Sequence, residues 1–450
     1  MRVADETPSA DAARRVGGAT ATLLVVASMV GTGIFTTTGL LVADLGSPAA
    51  VLAAWVTGGA LALCGALSYG ELAAALPRNG GEYQILSRVY HPAAGFAAGL
   101  VSIVVGFSAP LAASALAFGR YLSAVVPGVP PLLAGAALVV VAAVPHAMNV
   151  RLGGRVQVAV TVAGIALAAA FVAAGAARGH AGWLLGGERW TFAAAVTPAF
   201  AVALVYVSFA YSGWNGAVYL AGEVRDPSRT LPRALLLGTA FVMALYLALN
   251  AVFLASAPPA ELAGVVEVGH VAAVRLLGPG AGRALSALVA VVLAASVSAL
   301  LMAGPRVYER MGRDYPALAF LALRTRQGGP AVAVAIQAGL ALSMMATSSF
   351  AGLLVYVGFT LSIVTGLAVA GVIVLRVREP ALARPVRAWG YPLTPLLFVA
   401  LSAWMVVHAL VRNPASSWAG VATAVAGVAL HAVLGRRGGR GGRDAPGVGA

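Results

Sequence analysis

Two short stretches carry residues whose types and spacing can do chemistry. Gly31-Thr32-Gly33-Ile34-Phe35 and Phe209-Ala210-Tyr211-Ser212-Gly213-Trp214-Asn215-Gly216 both place paired glycines, with hydroxyl or amide side chains nearby, inside long apolar runs. A glycine inside a helix costs roughly 1 kcal/mol. In lipid, the backbone groups that a break frees have no water to bond, so a break survives only where the backbone lines a cavity or site. In the first stretch, N–H groups near Thr32, Gly33 and Ile34 begin a half-helix, whose positive end favours a carboxylate. In the second, carbonyls near Phe209 and Ala210 suit an ammonium group. Together they predict one clamp for a zwitterionic α-amino acid, built from Gly31, Thr32, Gly33, Ile34, Phe209, Ala210, Ser212, Gly213 and Asn215. The competing reading makes Gly31 and Gly33 a small-residue helix contact. It is weaker because two breaks fall at corresponding positions.

The elements that position these stretches are membrane spans. The chain has 450 residues, 60% hydrophobic and 10% charged, far below the quarter charged that a soluble protein carries. Mean hydropathy is +0.91. The predicted fold is an all-α polytopic membrane protein with 12 transmembrane helices, at 19–43, 49–76, 93–118, 131–147, 156–177, 192–221, 234–256, 283–304, 330–348, 350–375, 392–411 and 417–434. Only Thr347-Ser348-Ser349 separates the ninth and tenth. The breaks fall in helices 1 and 6. That five-span offset points to a 5+5 inverted repeat, spans 1–5 and 6–10, with spans 11 and 12 as two peripheral helices. The chain then divides into a cytoplasmic segment 1–18, a first repeat 19–177, a second repeat 192–375, the peripheral pair 392–434 and a disordered cytoplasmic tail 435–450.

The net charge of +14 has a topological origin. All 29 basic residues are Arg. With twelve spans, 23 of them fall on the side of the termini, and the positive-inside rule makes that side cytoplasmic. No basic patch is left for nucleic acid, and the lipid bilayer is the large partner. No signal peptide precedes the first span. Cys64, the one cysteine, lies in an apolar run, which excludes a disulfide-linked ancillary subunit. No His/Cys/Asp/Glu cluster has metal-ligand spacing, and no GxxxxGK[ST] motif marks an ATPase. The spans lack the convergent acid and base groups of an enzyme and the charged rings of a channel. No cofactor is implied.

Further motifs resemble the amino acid–polyamine–organocation (APC) permeases, above all their L-type amino acid transporter branch. They are Tyr69-Gly70-Glu71-Leu72, Pro77-Arg78-Asn79-Gly80-Gly81-Glu82-Tyr83, Asn149-Val150-Arg151, Glu223-Val224-Arg225-Asp226-Pro227, Arg306-Val307-Tyr308 and Trp389-Gly390-Tyr391-Pro392, alongside the two broken stretches. The resemblance implies a secondary transporter in the cell membrane that moves amino acids by alternating access, as an exchanger or a cation-coupled symporter. It also implies Phe209 as an aromatic gate over the substrate. Many members of the branch carry a Lys in span 5 where others hold sodium; here Gly164 stands at that point. A cation site using Ser296 or Ser298, or an empty space, takes its place. Gly106, Ser108, Ser298 and Tyr356 are candidates for the side-chain pocket. Glu71, Arg78, Glu223 and Arg225 are candidates for an inner gate made of ion pairs.

Almost no charge is visible between the span ends, so a neutral amino acid is favoured. A cationic amino acid or polyamine would need a buried carboxylate opposite its amines, for which Glu223 is the best candidate.

Overall fold

The computed structural model describes residues 16–76, 80–148, 154–185 and 191–438. Among these the protein is helical throughout, apart from one bridge that pairs Val16 with Val224. Local chemistry sets many of the helix starts. Proline opens helix after helix, because its fixed φ suits the first turn and its missing N–H would be unsatisfied there anyway. The residue before the helix supplies an acceptor at several starts: Ser47, His91, Thr197 and Ser349 each accept from a backbone N–H of the first turn that follows.

In chain order, α1 (Gly18–Met29) and α2 (Thr32–Leu45) form one span bent by 41°. The α3 helix (Pro48–Ala75) follows, then the short α4 (Gly81–Val89). The next span runs through α5 (Pro92–Val101), a π-helical segment Ser102–Ser108, and α6 (Ala109–Val125). Then come α7 (Pro131–Ala147), α8 (Gly154–Arg178) and α9 (Pro198–Tyr211), the last leading into a 3-10 segment Gly216–Glu223. Two short turns, Ala181–Leu185 and Phe192–Ala195, precede α9. Beyond it lie α10 (Pro227–Ser256), the short α11 (Pro259–Leu262) and α12 (Val268–Leu277), and the long α13 (Pro279–Asp314). The chain ends with α14 (Ala331–Thr347), α15 (Phe350–Arg378), α16 (Leu393–Arg412) and α17 (Pro414–Gly438).

Among the described residues, eight helices are long and apolar enough to cross a membrane, and the bent pair α1–α2 makes nine. The α7 and α14 helices are apolar but only 17 residues long. Helix α13 continues past the predicted end of its span at 304 and carries Glu309 and Asp314 on its last turns. Residues 1–15 and 439–450, and with them most of the two terminal segments, lie outside the described residues, while α17 extends through 435–438.

The broken spans sit at the centre. Helix α10 lies along α3 and α1, and α9 lies against α2, α3 and α15. Trp55, Tyr211 and Tyr246 form a buried three-ring cluster beside the breaks, with centroids 5.2–5.6 Å apart. At the end away from the Arg-rich loops, the stretch from α11 to α12 closes over α2. Gly264 donates its N–H to the Gly39 carbonyl at 2.8 Å, and a Cβ on Gly39 would stand 2.0 Å from the Val265 carbonyl oxygen. Tyr121 adds a strap: its hydroxyl donates to the Phe35 carbonyl at 2.7 Å and accepts from the Gly269 N–H at 3.3 Å.

Candidate functional site

Both breaks predicted from the sequence are present. Between α1 and α2 the chain turns at Val30 and Gly31, and Gly31 offers no side-chain cap to α2. The first N–H groups of α2 have no acceptor one turn back, as at any helix start, and here that start is buried at Thr32, Gly33 and Ile34. Gly31, Thr32 and Gly33 line a central cavity, whereas Ile34 is fully buried in the core beside it. On the α1 side of the break, the Met29 carbonyl accepts from the Tyr246 hydroxyl at 2.6 Å.

The second break follows Tyr211. Ser212 leaves the helix with ψ 147°, Gly213 takes φ +99°, and the backbone resumes as the 3-10 segment. Glycine is required at 213 twice over: the positive φ disfavours any L side chain, and a Cβ would stand 2.3 Å from the Ser28 carbonyl oxygen. Phe209, Ala210, Ser212, Gly213 and Asn215 all line the cavity. The Phe209 carbonyl already accepts from its neighbour Ser212, from the N–H at 3.0 Å and the hydroxyl at 2.7 Å.

The cavity has a volume of about 710 Å³ and runs from the breaks to the exposed side chains Arg306, Arg310 and Arg313 on α13. Its walls near the breaks are small and hydroxylated. Thr32 and Ser114 share a hydrogen bond of 2.5 Å, and Ser114 lies 3.5 Å from Ser296. Gly164 and Ser296 both line it, so the span-5 glycine and the span-8 serine do face one space. Helix α6 is reached through the π segment, which turns Ser102, Gly106 and Phe107 to the cavity. Such π turns recur at functional sites.

Other sequence candidates lie elsewhere. Ser298 does not line the cavity; its hydroxyl bonds His146 at 2.9 Å. Tyr356 points to α17, where it meets Thr423 at 2.8 Å, and Ser108 donates to the Ile103 carbonyl inside its own turn. Glu71 takes its partners from α15 and the loop beyond it. It is buried against Arg376 at 2.6 Å and Arg384 at 3.5 Å, and accepts from the Ala388 N–H at 2.7 Å. Glu223 is exposed on the cavity rim, and the Arg225 N–H donates to the Val16 carbonyl. Arg78 and the Asn149–Arg151 motif lie outside the described residues.

One carboxylate that the sequence placed only in a cytoplasmic loop motif reaches the cavity. Glu82, in the first turn of α4, is 3% exposed and lines the cavity, bonded to Tyr69, Asn215 and Tyr219. The next residue, Tyr83, ties α4 to the end of α13 by donating to Asp314 at 2.7 Å. Among the described residues, no three His, Cys, Asp or Glu side chains group as metal ligands would.

A cavity where two interrupted helices meet, in an all-helical apolar chain, is the architecture of a small-molecule carrier. The model of a family described as Amino acid permease matches residues 16–431. The chain belongs to the amino acid permease family. The permease is 27% identical to Asc-type amino acid transporter 1 of Mus musculus over 431 residues, which is 93% of this chain and 80% of that one. It is 28% identical to Large neutral amino acids transporter small subunit 2 of Homo sapiens over 430 residues, with the same coverage. It is 27% identical to the Serine/threonine exchanger SteT of Bacillus subtilis (strain 168) over 438 residues, covering 93% of this chain and 96% of that one. These proteins are transporters, as is this permease, and it is not an enzyme.

Proposed function

We propose that this permease carries neutral α-amino acids across the cell membrane by alternating access, as an exchanger or a cation-coupled symporter. The observation that carries the reading is the meeting of the two breaks. A Cβ on Gly33 would lie 2.4 Å from the Cα of Ala210, so the start of the half-helix α2 and the end of α9 share one wall of the cavity. A carboxylate on the N–H groups of α2 and an ammonium near the α9 carbonyls then fit a single ligand. Because Ser212 occupies the Phe209 carbonyl, the ammonium falls to Ala210 and its neighbours. Phe209 covers the bound substrate.

In this reading the termini and the Arg-rich loops are cytoplasmic. The chain spans twelve times, with spans 1–5 and 6–10 as inverted repeats and spans 11–12 peripheral. The cavity is then open inward, sealed outward by the α11–α12 stretch. The space beside Gly164, Ser296 and Thr32 either holds a cation or stays empty. The permease works without a disulfide-linked subunit, since Cys64 sits within α3.

A cationic amino acid or polyamine is the second reading, and Glu82 is the observation that favours it. Its two oxygens already take three donors, however, so a neutral substrate remains the better fit. Uptake and counterflow of a labelled amino acid panel in proteoliposomes, with sodium and proton gradients imposed separately, tests both readings. Neutral amino acids should exchange; transport of lysine or putrescine alone would favour the second, and transport of no amino acid would remove both.

A further inference from the structure

One carboxylate holds the 3-10 segment that follows the second break. Glu82 Oε1 accepts from the Tyr69 hydroxyl at 2.8 Å and from the Asn215 amide. Its Oε2 accepts from the Tyr219 hydroxyl at 2.5 Å. Tyr69 belongs to α3, whereas Asn215 and Tyr219 belong to the interrupted span. The start of α4 is fitted flush to that span: a Cβ on Gly81 would stand 2.7 Å from the Tyr219 ring. Among the described residues, no Arg or His forms a salt bridge with Glu82. Neutral donors hold a charge that is almost fully removed from water.

The geometry points to Glu82 as a proton-binding site linked to the position of the segment Asn215–Glu223. The inference rests on the alternating access proposed above, in which that segment moves when the cavity mouth closes. A shift of about 1 Å takes a hydrogen bond out of range, so closure detaches Asn215 and Tyr219 from Glu82. With all three donors in place, the ionised carboxylate is favoured. With Tyr69 alone it is a buried charge without adequate partners, and it binds a proton instead. The proton comes from the aqueous cavity and returns to it; no other bond forms or breaks. By linkage, protonation favours the closed mouth and ionisation the open one seen here.

The charged surroundings leave Glu82 as the group that responds. Tyr69 and Tyr219 touch it and, as phenols, keep their protons at neutral and acid pH. On α3, Glu71 is neutralised by Arg376 and Arg384. Across the cavity, α13 presents Arg306 and Arg310, the latter paired with Asp314. Glu223 ends the 3-10 segment on the exposed rim.

The test is counterflow of a transported amino acid in proteoliposomes at equal pH on both sides, from pH 5 to 8. A single linked carboxyl alters the balance of states by up to about tenfold per pH unit. Wild-type counterflow should therefore change several-fold over this range. Glu82→Gln should flatten the profile while keeping exchange, and Tyr219→Phe, which removes one donor to the ionised form, should move the profile to higher pH. A flat wild-type profile, or a Glu82→Gln profile that follows wild type, overturns the inference. Should Glu82→Gln fail to insert, an unmoved Tyr219→Phe profile overturns it equally. Counterflow of no amino acid in wild type would instead sink the transport reading beneath it.

Discussion

Gly33 and Ala210 touch backbone to backbone: a Cβ on Gly33 would lie 2.4 Å from the Ala210 Cα and 2.6 Å from its Cβ. The contact joins the first turn of α2 to the last turn of α9 at the level of both breaks. A valine at 33 must therefore push the two half-helices apart. Gly33→Val is expected to insert normally and lose at least about fivefold in substrate affinity, since overpacking of about 1–3 kcal/mol falls directly on the site. Size-exclusion profiles and binding by scintillation proximity check the two halves of this outcome. Unchanged affinity would count against the clamp.

Gly213 tests the second break in the same way. An alanine there meets both a φ of +99° and the Ser28 carbonyl oxygen. Gly213→Ala should lower the stability of the purified permease by more than about 1 kcal/mol. Thermal unfolding followed by fluorescence-detected size exclusion would show it as a lower midpoint than wild type.

Glu71 is a buried anchor. Its carboxylate holds Arg376, whose guanidinium also lies 3.7 Å over the Tyr391 ring, together with Arg384 and the Ala388 N–H. Removing one partner of a buried pair costs about 3–5 kcal/mol, because the other charge is left uncompensated. Glu71→Ala should therefore destabilise strongly, and Glu71→Ala combined with Arg376→Ala should cost less than the sum of the two single changes. Additive losses would show that Glu71 is no anchor.

The exposed pair Arg88–Glu379 gives a pH signature. The Arg88 hydrogen bond, at 2.6 Å, holds the Glu379 carboxyl below its usual 4.5, with burial opposing and the charges of Arg88 and Arg384 helping. A carboxyl lowered in the folded state adds stability that is complete above the unfolded value and is lost as pH falls through the folded one. The stability difference between wild type and Arg88→Gln should be constant from neutral pH down to about 4.5 and narrow below that. Thermal unfolding of both proteins over this range reads it directly.

The breaks were legible in the sequence because paired glycines weaken a helix, and in lipid a weakened helix survives only where its backbone lines a cavity. Gly31, Gly33, Gly213 and Gly216 are where they were expected, and Thr32, Phe209, Ala210, Ser212 and Asn215 do line one cavity. Which way a lone hydroxyl faces was not legible. The spans are apolar on most sides, so periodicity gives no direction, and Ser298 and Tyr356 turned to His146 and Thr423. The π segment in the span of α5 and α6 has no such marker, although it aims Gly106 and Phe107 at the cavity. Glu82 was placed among the cytoplasmic loop charges because Gly80-Gly81 reads as a loop. Both glycines take positive φ, at +124° and +52°, and that turn starts α4 and carries the carboxylate inward. The gate candidates Glu71, Glu223 and Arg225 were grouped by side of the membrane, which fixes no partner. The partners of Glu71 came from the far end of α15 and the loop beyond it.

The measurement that bears most directly on the zwitterion clamp compares three competitors in counterflow: a transported amino acid, its methyl ester and its N-acetyl derivative. The ester lacks the carboxylate that α2 would hold, and the acetyl form lacks the ammonium that α9 would hold. Each loss removes hydrogen bonds to a charged group, worth about 1.5–3 kcal/mol. Both derivatives should therefore compete at least about tenfold more weakly than the parent. Equal competition by either one would contradict a site built from the two breaks.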